Sequence, residues 1–113
     1  MAAKTLSSPT ADSPTIFDRF AGDTTADNLR QIDVHTATRH ILVRVVDSGG
    51  SPMAFKVAHT GTDAAAIGAN YLRMTAGETY EQTLPPNHGG STIYVSGDAA
   101  SPTIEVASSL RAP

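Results

Sequence analysis

The stretch that decides the fold is residues 41–58, which read ILVRVVDSGGSPMAFKVA. Its first six residues are β-branched or aliphatic apart from Arg44, a composition typical of a strand at the centre of a sheet. A turn sequence rich in Gly and Ser follows at 47–52. Residues 53–59 then alternate, with three large apolar side chains on one face. The stretch therefore predicts two β-strands joined by a turn.

Strand-like segments continue along the rest of the chain. They begin near Ile32 and recur at 71–74, 78–84, 92–96 and 103–107. Turn sequences separate them at intervals of about 8–12 residues, as in sandwiches and barrels. No helix-length periodic segment lies between them, which argues against a parallel sheet with crossover helices. We predict an all-β fold of six or seven strands, a small antiparallel β-sandwich or barrel of jelly-roll type.

One turn makes a specific prediction about the backbone. The sequence Thr75-Ala76-Gly77-Glu78 lies between two predicted strands. Glycine is the residue that enters a left-handed turn position without steric cost. We therefore expect a positive φ at Gly77.

The composition excludes several classes of protein. The chain has 113 residues, a formal net charge of −3 and no cysteine. Its length suits one hydrophobic core, and without cysteine there are no disulfides, cysteine zinc sites or thiol catalysis. The eight Lys and Arg residues form no concentrated basic patch, which argues against nucleic-acid binding. No apolar run approaches the ~20 residues of a membrane span, so we expect a soluble protein with no membrane partner.

The N-terminal part differs from the rest. Residues 1–31 contain few Val, Ile and Leu and carry Pro9 and Pro14 among many Ser and Thr. Such a segment buries too little apolar surface to offset the conformational entropy that it loses on ordering. We predict an extended N-terminal arm at 1–31 and a β-sandwich domain at 32–113.

Inside the predicted arm, residues 16–20 form one apolar patch, IFDRF. One interpretation is a short helical turn that docks on the parent domain. The other is a pair of aromatic anchors, Phe17 and Phe20, that insert into a neighbouring subunit, since aromatic anchors often dominate binding energy. Together with Ile16 of the same patch, they are candidate partner-binding residues.

Arg44 is the one charged residue in the strongest predicted strand. Alternation places it with Leu42 and Val46, opposite the apolar face. Its aliphatic stem can pack while the guanidinium reaches water. Alternatively, the guanidinium can bind a carboxylate of a neighbouring subunit. Arg44 is the fourth candidate partner-binding residue.

A search for catalytic or metal-binding patterns finds none. The candidate bases are His35, His40, His59 and His88, and their spacing matches no metal motif. There is no Gly-x-Ser-x-Gly elbow, calcium loop or phosphate-binding loop. We predict a non-enzymatic protein with no cofactor and no metal.

The region from Thr38 to Val106 is a succession of strands and turns: Arg39 with Ile41–Val46, Ser48–Pro52, Met53–Ala58, Leu72 to Ala76-Gly77-Glu78, Ile93-Tyr94-Val95, Gly97-Asp98-Ala99-Ala100 and Ile104-Glu105-Val106. This succession resembles small β-sandwich virion structural proteins of tailed bacteriophages, of the head decoration (cement) or head-fibre-base type.

This resemblance implies a structural component of a virus particle, assembled in the host cytoplasm. The leading expectation is a capsid decoration protein that binds the major capsid protein and other copies of itself, as a homotrimer or a lattice. The alternatives are a receptor- or carbohydrate-binding module of a fibre and a minor tail or connector protein.

Overall fold

The computed structural model describes residues 2–62, 65 and 68–113. It is a β-sandwich of two sheets and not a closed barrel, so the predicted all-β class is confirmed. Within the described residues, no helix is long and apolar enough to cross a membrane.

Nine strands follow one another along the described part of the chain. They are β1 (Lys4–Thr5), β2 (Thr15–Ala21), β3 (Arg30–Val34), β4 (His40–Val46), β5 (Phe55–Ala58), β6 (Leu72–Met74), β7 (Tyr80–Thr83), β8 (Ser91–Gly97) and β9 (Thr103–Ser109).

The strands form two sheets. Sheet 1 has the order β1-β3-β8-β5-β6, and sheet 2 has the order β2-β9-β4-β7. All pairs are antiparallel except β1 with β3, which is parallel. The long central strand β4 contains the apolar run that decided the fold, and the turn after it leads to β5 in the other sheet.

The core lies between the two sheets and follows the alternation of the sequence. On β4, Ile41, Val43 and Val45 are buried while Arg44 is exposed, because successive side chains point to opposite faces. The same alternation supplies the rest of the core from both sheets: Ile32, Val34, Phe55, Val57, Ile93, Val95, Ile104 and Val106.

The prediction for the turn at Gly77 is confirmed. Its φ is +90°, and a Cβ added there would meet no atom within 4 Å. The glycine is therefore required by the backbone conformation and not by lack of space.

The predicted boundary between an arm and a domain at residue 31 is wrong. Strand β2 pairs with β9 over its whole length, from Thr15 opposite Ser109 to Ala21 opposite Thr103. Leu6 is also buried in the core. Residues before 31 are thus part of both sheets, and the sandwich is incomplete without them.

The helical turn that one interpretation placed at 16–20 is also wrong, since these residues lie in β2. The pattern of β2 was hard to recognise because Asp18 lies on the inward side, between Ile16 and Phe20. Ser7 satisfies this carboxylate by donating its backbone N–H (3.0 Å) and its hydroxyl (2.9 Å). A polar side chain can occupy the inward side because these hydrogen bonds replace water.

Candidate functional site

The outward side of sheet 2 carries the most distinctive surface of the molecule. Alternation directs one set of side chains from β2, β9 and β4 away from the core. We call this surface the outer face of sheet 2, and it is formed by Thr15, Phe17, Arg19, Leu42, Arg44, Glu105 and Ala107.

An apolar row crosses the centre of this outer face. The strand register places Phe17, Ala107 and Leu42 side by side on β2, β9 and β4. Phe17 is 79% exposed, although it is a large aromatic residue. The small side chain of Ala107 leaves a shallow groove of about 610 Å³ between its neighbours, bordered by Arg19 and Arg44.

A charged row lies next to the apolar one. Glu105 stands between Arg19 and Arg44, directly opposite each of them on the neighbouring strands. The Nε of Arg44 donates to Oε1 of Glu105 at 2.5 Å, and the Nε of Arg19 lies 3.6 Å from Oε2. Two guanidinium groups thus share one carboxylate, and the row keeps one surplus positive charge. Both arginine side chains remain mostly exposed, so these ion pairs contribute little to stability.

A smaller hollow adjoins the charged row on its far side. It has a volume of about 280 Å³ and is bordered by Arg44, Gly77 and Glu78. The hydroxyl of Thr75 (2.6 Å) and its backbone N–H (2.7 Å) both donate to Oε1 of Glu78. These hydrogen bonds lower the pKa of the Glu78 carboxyl. The arginines therefore lie between an apolar groove and a fixed negative charge.

The structure separates the predicted anchors Phe17 and Phe20. They are three positions apart on one strand, and an odd separation puts side chains on opposite faces. Phe20 is half-buried and packs against the core, with the Lys4 ammonium and the Arg30 guanidinium 5.5 and 5.6 Å from its ring centre. Ile16 also points inward and is partly buried. Only Phe17 of the three lies on the outer face.

Arg44 is exposed as its position predicted, and it contacts a carboxylate of its own chain, that of Glu105. Sequence reasoning missed this partner, together with Arg19 and the groove between Phe17 and Leu42. Alternation had placed Leu42 beside Arg44. Alternation along one strand could not predict that Glu105 and Arg19 lie beside Arg44, because their positions depend on the register of long-range strand pairing.

The histidines lie apart from one another and contact nearby groups. The Nε2 of His40 is 3.3 Å from a carboxylate oxygen of Glu81, and the Nε2 of His59 is 3.1 Å from the Tyr80 hydroxyl. His35 accepts a hydrogen bond from a backbone N–H two residues further on. Among the described residues, no group of three or more His, Asp or Glu side chains is placed to hold a metal ion.

The fourth histidine, His88, has a serine beside it but stabilises a loop. Its Nδ1 accepts from the Gly90 N–H at 3.1 Å and lies 3.1 Å from the Ser91 hydroxyl. Its Nε2 contacts the backbone carbonyl of Thr38 at 2.9 Å, where a catalytic triad would have a carboxylate. The ring therefore joins the 85–90 loop to the segment before β4.

A second apolar patch lies at the β6 edge of sheet 1. Leu72 is 55% exposed and Tyr71 is 40% exposed. They border a hollow of about 310 Å³ with His59 and Tyr80. Partial burial raises the pKa of the Tyr80 hydroxyl, which donates a hydrogen bond to Gln82. Sequence reasoning assigned no role to this patch.

Comparisons with known proteins identify no family. No family model and no curated protein matches the chain. Two solved structures are similar at 17% sequence identity. One is Aeromonas hydrophila PliG, a periplasmic inhibitor of g-type lysozyme, with a TM-score of 0.40 over 95% of this chain and 98% of that one. The other is from Bacillus endospore appendages, a family of disulfide-linked pili, with a TM-score of 0.33 over 86% of this chain and 89% of that one. At 17% identity and with TM-scores of 0.40 and 0.33, neither similarity is evidence of function.

Proposed function

We propose that the protein is a non-enzymatic structural protein that binds another protein through the outer face of sheet 2. The observation that carries this proposal is Phe17, which is 79% exposed beside a groove that it forms with Ala107 and Leu42. A large ring held on a strand loses little conformational entropy on binding, and its burial is a common source of interface energy.

The chemistry of the face favours a protein partner over a small ligand. Small-molecule sites are concave and enclose most of their ligand, whereas this groove is shallow and open. An apolar centre with arginines at its border is typical of protein interfaces, and Arg19 and Arg44 provide that border. The surplus positive charge of the row favours an acidic group on the partner.

The specific role that we propose is decoration of a bacteriophage head. The support is the resemblance of residues 38–106 to virion structural proteins, together with a docking face on a rigid sheet. In this role the partner is the major capsid protein, and Phe17 inserts between its surface side chains.

Binding to purified shells tests the proposal. The protein, labelled at low density, is sedimented with heads of the phage whose genome carries the gene. We expect Phe17→Ser and Leu42→Ser each to weaken binding by about ten-fold or more, as for central interface residues. Leu72→Ser is the matched control, because it removes an exposed apolar side chain from the other sheet, and it should bind as the wild type does.

Two results would contradict the proposal in different ways. If the wild-type protein does not sediment with the shells, the role in the virion is wrong. If Phe17→Ser binds as tightly as the wild type, the protein docks through another surface.

A further inference from the structure

Strand β2 gives sheet 2 an unusually long open edge. It has seven residues, whereas the other edge strands β1, β6 and β7 have two, three and four. Proteins usually shorten their edge strands or protect them with Lys, Pro or bulges, because an unpaired edge can pair with another chain. β2 contains no Lys and no Pro, and the charge of its Arg19 faces Glu105. An inward charge can also protect an edge, but the inward carboxylate of Asp18 is already hydrogen-bonded by Ser7 of the same chain.

The hydrogen bonds at both ends of β2 show which of its backbone groups face this open edge. Leu110 N–H donates to Pro14 O, and Gly22 N–H donates to Pro102 O. Even-numbered residues of β2 are therefore the ones that bond to β9. In an antiparallel ladder, hydrogen-bonded residue pairs alternate with pairs that are not hydrogen-bonded. The N–H and C=O groups of the odd-numbered residues Thr15, Phe17 and Arg19 therefore point away from β9.

These outward groups have no backbone partner among residues 2–62, 65 and 68–113. The preceding segment passes close by, but Ser7 bonds to the side chain of Asp18 and not to the backbone of the edge. One edge carbonyl, that of Ala21, accepts from the Arg30 side chain and marks where the open part ends. The open edge thus spans 15–19.

We infer that two copies of this chain pair antiparallel through β2, with Phe17 opposite Phe17 of the second copy. This register places Thr15 opposite Arg19 of the second copy and Arg19 opposite its Thr15. All three outward-facing residues then find partners, which gives about six backbone hydrogen bonds. The two Phe17 rings become a cross-strand aromatic pair.

The number of partners and the charges together select this register. Centring the pair on residue 16 would leave Arg19 opposite Ser13, outside β2. A shift that centres the pair on residue 18 would put Asp18 opposite Asp18 of the second copy. A shift that centres it on residue 19 would put two Arg19 side chains opposite one another. Like charges directly across a ladder are destabilising. In the register centred on Phe17, Asp18 of each copy instead lies opposite Ile16 of the other copy.

The pairing joins two copies of sheet 2 into one continuous sheet of eight strands. A self-complementary edge generates a two-fold dimer, whereas the resemblance to decoration proteins implies a homotrimer or a lattice. The inference shares Phe17 with the proposed docking function, but it depends in addition on the backbone edge of β2 and does not depend on Leu42, so the two proposals can fail independently.

Two substitutions alter the edge strand, and a third alters the outer face on another strand. Thr15→Pro removes an outward N–H and places a ring at the edge. Phe17→Lys places two ammonium groups opposite one another in the dimer. Because Phe17 is exposed in the single chain, the substitution should change the stability of the fold little. Leu42→Lys alters the outer face on β4, away from the edge, and is the matched control.

Sedimentation velocity over a range of protein concentrations measures the dimer. We expect a concentration-dependent dimer for the wild type and for Leu42→Lys, and a dissociation constant about ten-fold or more weaker for both edge variants. A monomeric wild type would overturn the inference, and so would a Phe17→Lys protein that dimerises as tightly as the wild type. If Thr15→Pro does not fold, the comparison of Phe17→Lys with Leu42→Lys decides. Binding to phage shells is measured in a separate experiment. A protein that does not bind shells would therefore leave the conclusions about the dimer unaffected.

Cross-linking tests the register itself, and the absence of cysteine from the chain makes this simple. Thr15→Cys and Arg19→Cys proteins are treated with a short thiol-reactive cross-linker, first separately and then mixed. We expect cross-linked dimers from the mixture and few from either protein alone. Efficient cross-linking of Arg19→Cys by itself would overturn the register centred on Phe17.

Discussion

At the scale of single residues, the two aromatic side chains of β2 have opposite surroundings. Phe20 packs against the core beneath two cations, and Phe17 is almost fully solvated. We expect Phe20→Ala to lower the free energy of unfolding by about 1–3 kcal/mol, somewhat less than for a fully buried ring. Phe17→Ala should change it by less than about 0.5 kcal/mol. Urea denaturation at a protein concentration where the wild type is monomeric measures both, and equal losses would contradict the faces assigned here.

The backbone at Gly77 provides a second test at this scale. Since its φ is +90° and the space around it is open, an added methyl group acts through the backbone alone. We expect Gly77→Ala to lower the free energy of unfolding by about 1 kcal/mol or more. Gly68→Ala is the control, because that site is equally open and has no left-handed φ. Thermal unfolding should show a loss for Gly77→Ala and almost none for Gly68→Ala.

At the scale of elements, β2 determines how much of the chain is needed for folding. It covers β9 along seven paired positions, and the segment before it contributes Leu6 to the core. We expect deletion of residues 2–21 to abolish cooperative unfolding, because one side of β9 would lose its partner strand. Deletion of Ala2 and Ala3, which are both exposed, should leave the melting temperature unchanged. A cooperative transition in the longer truncation, seen by near-UV circular dichroism, would contradict the role of β2 as an integral strand.

The contrast between β2 and β4 explains how far the elements could be predicted. β4 contains five apolar residues interrupted by one charge at 41–46, so its period and its buried face are visible locally. β2 has Asp18 on its inward side, and the hydrogen bonds that make this acceptable come from Ser7, eleven residues earlier. Sequence reasoning therefore found β4 with its faces and assigned β2 to an arm.

At the scale of the whole molecule, stability depends on the contact between the two sheets, since no disulfide is available. Sheet 1 and sheet 2 contribute to the same buried cluster. The outer face of sheet 2 is thereby left on a rigid support, and its open edge lies beside the groove. In the dimer that we infer, two grooves would lie on either side of the Phe17 pair, so that one partner surface could contact both copies.

The sequence by itself determined the all-β class, the strand that anchors the core, the outward position of Arg44 and the turn at Gly77. Each of these follows from local periodicity or from the conformational freedom of one residue, which a short window of sequence contains. Only the tertiary structure decided that β2 pairs with β9, and that Arg19 and Arg44 therefore share Glu105. The pairing of β2 with β9 joins residues more than 80 positions apart. It depends on which strand edges are still available once the two sheets have packed together, and no short window of sequence contains that information.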